Sequence, residues 1–210
     1  MVADFSQEFY ASEKNRLAQN VVSRTDPLEA CLSRLALETN NHVFSHKVDE
    51  IKPVTSQRSS GRCWCFAVLN AMRIPFAKSL NMEEFEFSQS FLFFWDKVER
   101  ANYFLNTIAS VYRRDPSEGP ESRLGSFLLA DPIADGGQWD MVVNLIEKHG
   151  VIPKACFPET VSCESSRQMN RILMSKLREF AQELYVAIKG GASEDAVKEK
   201  ISGQMKTIYR

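Results

Sequence analysis

Apolar residues recur at helical spacing along most of the chain, and few stretches alternate as a strand does. Asp26 predicts an N-cap, with Pro27 at the first helical position and Glu29 three residues after the cap. The stripe of that helix is Leu28, Cys31, Leu32 and Leu35, and Asn40-Asn41 ends it. The segment from His42 to Val48 alternates weakly and predicts a short strand. After Pro53, Thr55 to Arg62 reads as a polar loop. A helix then starts at Cys63 with Trp64, Ala67, Val68, Ala71 and Met72 on one face, and Pro75 ends or kinks it near Ile74. Ser88 predicts the cap of a long helix carrying Phe91, Trp95, Val98, Leu105 and Ile108. Asp115 to Glu121 is a surface loop. Gly136-Gly137 precede a helix with Trp139, Val142, Val143 and Ile146 on one face, stopped by Gly150 with Pro153 beyond. A charged amphipathic helix from about Ser165 to Ile188 turns Leu173, Leu177, Phe180 and Leu184 inward. Gly190-Gly191 breaks it, and a last helix follows from about Ser193.

The pattern predicts a mainly α chain without internal repeats. Its 210 residues suit one domain or one lobe of a larger fold. With 26 Lys+Arg against 27 Asp+Glu, the charge does not support nucleic-acid binding. No apolar run approaches the roughly 20 residues that span a bilayer, so no membrane association is expected. The first residues lack both a basic start and an apolar stretch, which is not the pattern of a signal peptide. Five Cys in such a chain predict free thiols and a cytoplasmic address.

The chemistry concentrates in Gln57-Arg58-Ser59-Ser60-Gly61-Arg62-Cys63-Trp64-Cys65. A polar, Gly-containing loop delivers Cys63 onto the first turn of an amphipathic helix. The positive end of a helix macrodipole favours a thiolate over a thiol there, and the thiolate is the attacking species in covalent acyl transfer. Gln57, six residues upstream, offers an amide N–H that would join the Cys63 backbone N–H in an oxyanion hole. Taken alone, Cys63 reads as a small buried hydrophobe. The surrounding residues reverse that reading. Cys65, Cys31, Cys156 and Cys163 read as packing or ordinary thiols. The Phe-rich run Phe85, Phe87, Phe91, Phe93 and Phe94 reads as core or subunit interface. Cys63 and Cys65 with His42 and His46 do not have zinc-module spacing, so neither metal nor cofactor is expected.

Gln57, Gly61 and Cys63-Trp64 at this spacing resemble papain-like cysteine peptidases. With Ser59-Ser60-Gly61-Arg62 before the Cys, the chain resembles a narrower branch, the bleomycin hydrolase family of cytoplasmic thiol aminopeptidases. Asn81 to Ser90, Phe93 to Arg100, Asp135 to Asp140 and Gly150 to Lys154 resemble it too, and the likeness runs from about Leu17 to the end.

The resemblance implies a fold: the helical N-terminal lobe of a papain-like α+β peptidase, with the second lobe absent from these residues. It divides the chain into a helical or extended segment, 1–54, and a papain-like left-lobe region, 55–210. The latter carries helical insertions at about 97–134 and 165–210. The resemblance also implies roles. Cys63 is the nucleophile, Gln57 the oxyanion-hole donor, and Gly136 and Gly137 line the substrate groove. Peptides and the carboxamide of bleomycin are the substrates, and a homohexamer is the assembly.

The family's general-base His and its orienting Asn belong far downstream, in the second lobe. The three His present, His42, His46 and His149, read as structural or surface residues. A second reading therefore stays open, that of a truncated, non-catalytic product or an incomplete gene model. On either reading, residues 1–210 alone are expected to be inactive.

Overall fold

The computed structural model describes residues 2–47, 49–115 and 117–210. They form two compact units, Met1–Val48 and Asp49–Arg210.

In the first unit, α1 (Val2–Ala11) and α2 (Glu13–Val22) meet at Ser12, whose side chain accepts from the Asn15 amide and caps α2. Asp26 does cap a helix with Pro27 in its first turn, accepting from the Leu28 amide at 2.8 Å. That helix is not continuous. α3 (Pro27–Ala30) stops at Cys31, and Ser33 restarts the chain as α4 (Arg34–Thr39) by accepting from the Ala36 amide. None of the four helices buries a residue. The strand expected from His42 is not formed over residues 42–47, and Val48 lies outside the described residues. A local side-chain bond takes part of the backbone instead: Asn41 Oδ1 accepts from the Val43 amide at 2.9 Å, and among the described residues no strand pairs with this segment.

The second unit begins with an irregular segment and then α5 (Cys63–Ser79), α6 (Gln89–Arg114), α7 (Arg123–Ala130) and α8 (Trp139–His149). A 3₁₀ turn (Lys154–Cys156), α9 (Val161–Glu164), α10 (Arg167–Lys189) and α11 (Glu194–Tyr209) complete it. Among the described residues the only β pairing is three isolated bridges, Lys52–Glu84, Ser59–Ser165 and Phe87–Pro153. The chain is thus mainly α.

Two apolar cores share α6. Its C-terminal half packs Phe104, Leu105, Ile108 and Tyr112 against Leu177, Phe180 and Leu184 of α10 and Val197 and Ile201 of α11. Its first turns, through Leu92, pack with Cys65 and Leu69 of α5, Phe87, and Val142 and Leu145 of α8. Phe93 is also buried, and Phe85 and Phe87 cluster with Phe76 at ring separations of 4.7 and 5.1 Å, so this part of the Phe-rich run is core.

Two helices turn differently from their stripes. α5 buries Cys65, Leu69, Arg73 and Ala77, while Ala67 and Ala71 face solvent. Pro75 does not end it. The carbonyl that loses its donor belongs to Ala71, an exposed residue, so the missing bond falls on the solvent side of the helix rather than in the core. Arg73 anchors that turn, donating to the carbonyls of Pro53 at 2.8 Å and Ile51 at 3.0 Å. α8 buries Val142 and Leu145, and Trp139 is 68% exposed rather than on the packed face. The remaining signals hold. Ser88 caps α6 through the Phe91 amide, Gly150 ends α8 at φ +75°, and Ser193 caps α11. No helix among the described residues is long and apolar enough to cross a membrane.

Candidate active site

Cys63 is the first residue of α5, and it is exposed. The first N–H groups of a helix have no acceptor within it. Arg62, at the N-cap, gives them no side-chain cap either. Its side chain turns inward and is wholly buried. There Nη1 donates to both carboxylate oxygens of Glu159 at 2.9 and 2.8 Å, and Nε donates to Ser60 Oγ at 2.8 Å. The guanidinium lies over the rings of Phe66 and Phe93, 5.1 and 5.5 Å from their centroids.

Ser60 Oγ in turn donates to the Gln57 main-chain carbonyl at 2.6 Å, so the loop from Gln57 to Arg62 is tied from inside. Gln57 is half-buried with Oε1 enclosed and unbonded, and its amide nitrogen has no partner among the described residues.

The diglycine docks on this loop. The Gly61 carbonyl accepts from both Trp64 Nε1–H and the Gly136 N–H, each at 3.1 Å. The approach is too close for side chains. A Cβ on Gly61 would stand 2.4 Å from Asp135 Cβ, and one on Gly137 would stand 2.7 Å from the Trp64 indole. The structure thus brings Gly136 and Gly137 beside the first turn of α5, with Gln57 on the loop that delivers Cys63.

The other side of the diglycine loop rests on α6. Lys97, 4% exposed, donates to the carbonyls of Ile133 and Ala134 at 3.2 and 3.3 Å and to Asp135 Oδ1 at 2.6 Å. Ser166 Oγ donates to Asp135 Oδ2 at 2.7 Å. Burial would raise the Asp135 carboxyl, but bonds from Lys97, Ser166 and Asn170 outweigh it and hold the group below the usual carboxylate range. Arg100 donates to Asp96 Oδ1 at 2.8 Å and to the Gly136 carbonyl. Asp96 is buried deeply enough that its carboxyl is pushed up despite Arg100.

The other expected groups are accounted for. Cys65 is fully buried, and burial, with Asp96 adding to it, pushes its thiol far up and keeps it protonated. His149 ends α8, stacked on Trp95 at 4.0 Å and bonded to Glu99 Oε1 at 2.9 Å. Burial would raise the Glu99 carboxyl, but bonds from Lys148 and His149 hold it below its ordinary value. His42 and His46 are exposed in the first unit. Among the described residues no three His, Cys, Asp or Glu side chains gather as a metal site. Sequence reasoning missed three ion pairs around the site, each with one buried partner: Arg62–Glu159, Lys97–Asp135 and Asp96–Arg100. A cation inside an otherwise apolar stripe was the available signal, but nothing in the spacing names its partner.

An exposed thiol opening a helix, with a diglycine loop docked alongside, defines the class as the papain-like cysteine peptidases. The chain belongs to the Peptidase C1-like family, which it matches over residues 1–210. It is 49% identical to bleomycin hydrolase of Homo sapiens over 211 residues, covering 100% of this chain and 46% of that protein. It is 40% identical to "Cysteine proteinase 1, mitochondrial" of Saccharomyces cerevisiae (strain YJM789), covering 100% of this chain and 43% of that one. The crystal structure of PepW from Lactobacillus rhamnosis HN001 (DR20) superposes with a TM-score of 0.91 at 34% identity, covering 100% of this chain and 46% of that chain. The chain thus spans about half the length of these relatives.

Proposed function

We propose that these residues carry the nucleophile side of a thiol aminopeptidase of the bleomycin hydrolase kind, at a cytoplasmic address. The supporting observation is the uncapped start of α5. There the exposed Cys63 opens the helix beside the Gly136-Gly137 loop, and Gln57, whose side-chain amide has no partner among the described residues, lies on the loop that delivers it.

In this reading the Cys63 thiolate attacks the carbonyl carbon of a substrate amide. The oxyanion takes the N–H groups of Cys63 and Gln57, and a peptide main chain lies along the glycines, which admit it for want of Cβ. The C–N bond then breaks, the amine leaves with a proton, and water hydrolyses the Cys63 thioester. Substrates are N-terminal residues of peptides and the carboxamide of bleomycin, and the working assembly is a homohexamer. The proton step needs a base. His149 is engaged with Glu99 and Trp95 and does not fill that role. Residues 1–210 alone therefore act as a half-site.

The test has two arms. In the first, residues 1–210 are treated with iodoacetamide and assayed on an aminoacyl-coumarin. The expected outcome is alkylation at Cys63, none at Cys65, and little turnover. In the second, residues 1–210 replace the aligned segment of human bleomycin hydrolase. The chimera is expected to turn the substrate over and to lose that activity with Cys63→Ser. Gln57→Ala is expected to weaken the transition state by about 2.7–4 kcal/mol while an acyl-enzyme still accumulates. A folded chimera whose activity survives Cys63→Ser would overturn the assignment.

A further inference from the structure

Four residues of α6, Ser90, Phe93, Lys97 and Arg100, follow one another at three- and four-residue steps and so share one side of the helix. Three of the four are polar, yet Ser90 and Lys97 are buried along with Phe93. It meets both loops of the candidate site. Toward the nucleophile loop, Ser90 Oγ accepts from Arg62 Nη1 at 3.4 Å, and the Phe93 ring lies under the Arg62 guanidinium. Toward the diglycine loop, Lys97 and Arg100 hold four consecutive residues: the carbonyls of Ile133 and Ala134, the Asp135 carboxylate, and the Gly136 carbonyl. The Phe93 ring also contacts Lys97, with Nζ 4.9 Å from its centroid, so one ring touches both cations that serve the two loops.

We propose that this face of α6 sets the separation of the nucleophile loop from the diglycine loop and thereby positions a substrate main chain against Cys63. The proposal rests on the peptidase reading above. Lys97 and Arg100 are positioning residues. They act through the Ile133, Ala134 and Gly136 carbonyls and the Asp135 carboxylate, leaving the Gly137 backbone for a peptide. Their placement matters because a backbone segment presented to a ligand loses affinity once it is mobile. Asp96 completes the arrangement. Its buried carboxylate fixes Arg100 Nε, so the Nη2 that reaches Gly136 has a defined direction.

The experiment compares the wild-type chain with Arg100→Met and Arg100→Lys. The first readout is hydrogen exchange at the Gly136 amide, with the α11 amide of Ile201 as reference. In Arg100→Met, protection at Gly136 is expected to fall roughly tenfold or more, with Ile201 unchanged. The second readout is the rate of Cys63 labelling by an aminoacyl chloromethyl ketone relative to iodoacetamide, which needs no main-chain recognition. That ratio is expected to fall several-fold in Arg100→Met at an unchanged iodoacetamide rate. Arg100→Lys, which keeps a charged donor but not the fork that spans Asp96 and Gly136, and tests the point if the Met variant does not fold, is expected to recover part of both. Unchanged Gly136 protection would overturn the proposal, and so would a parallel loss of both labelling rates. A wild-type chain that shows no preference for the aminoacyl reagent, while Gly136 still loosens in Arg100→Met, overturns the peptidase reading and substrate positioning with it. The exchange result distinguishes that case from failure of the α6 contacts.

Discussion

Two glycines show how far a residue's meaning depends on its neighbours. Gly61 stands so close to the next loop that a Cβ would overlap Asp135, whereas Gly203 lies in α11 with nothing within 4 Å of the same atom. Gly61→Ala is expected to destabilise the chain by about 1–3 kcal/mol through overpacking. Gly203→Ala is expected to stabilise it by about 0.5–1 kcal/mol, because alanine loses less backbone entropy in a helix. Urea midpoints of the two variants should move in opposite directions, and shifts of the same sign would contradict the packing described for the Gly61 loop. From sequence, both are single glycines among polar residues. What could be read was local: the motif ending at Cys63, the cap at Ser88, and the stop at Gly150. What could not be read was the contact between residues 61 and 136, because no periodicity links positions so far apart.

At the scale of elements, the same limit explains the helices whose faces were misjudged. In α5 the stripe Trp64, Ala67, Val68, Ala71 and Met72 follows helical spacing, but the buried line runs through Cys65, Leu69, Arg73 and Ala77 and so includes a polar residue that hydrophobic patterning assigns to solvent. Trp139 shares a stripe with Val142, Val143 and Ile146 by spacing but faces outward at the start of α8, where packing toward α5 and α6 begins only at Val142. The ion pair joining α6 to the diglycine loop has a consequence in acid. Asp135 has its carboxyl held below the unfolded reference of about 3.9. Its contribution to stability is therefore fully present above that reference and is lost as pH falls through the lower, folded value. Asp96 has the opposite sign. Its raised carboxyl takes up a proton earlier in the folded state, which offsets part of the loss. Asp135→Asn is expected to be less stable than wild type at pH 7 and to lose less on acidification below about pH 5. Chemical denaturation at a series of pH values measures this. A variant with the wild-type acid slope would show that Asp135 does not contribute it.

At the scale of the molecule, every member of both apolar cores comes from residue Trp64 or later, whereas α1 to α4 bury nothing. Short helices without a packed face are marginal in water. Removing residues 1–48 is therefore expected to leave one cooperative thermal transition, with its midpoint within about 4 °C of the intact chain's, a change of under roughly 1 kcal/mol. A larger drop, or loss of cooperativity, would show that the second unit relies on the first. The mainly α character and the order of the long helices were legible, because helical periodicity needs only local residues. The grouping of α6 with both cores was not, since it depends on which distant faces meet.

The Arg62–Glu159 pair joins positions 97 residues apart in the chain. Translation proceeds at roughly 5–20 residues per second, so the partner of Arg62 is added about 5–20 s after it. During that interval α5 can already wind, and Cys63 can already be in solvent, but the loop beside it lacks its inner anchor. A nascent polypeptide thus carries the thiol before it carries the setting that would direct it. Attainment of that setting marks the point in synthesis at which helices α5, α6 and the segment bearing Glu159 have all been made.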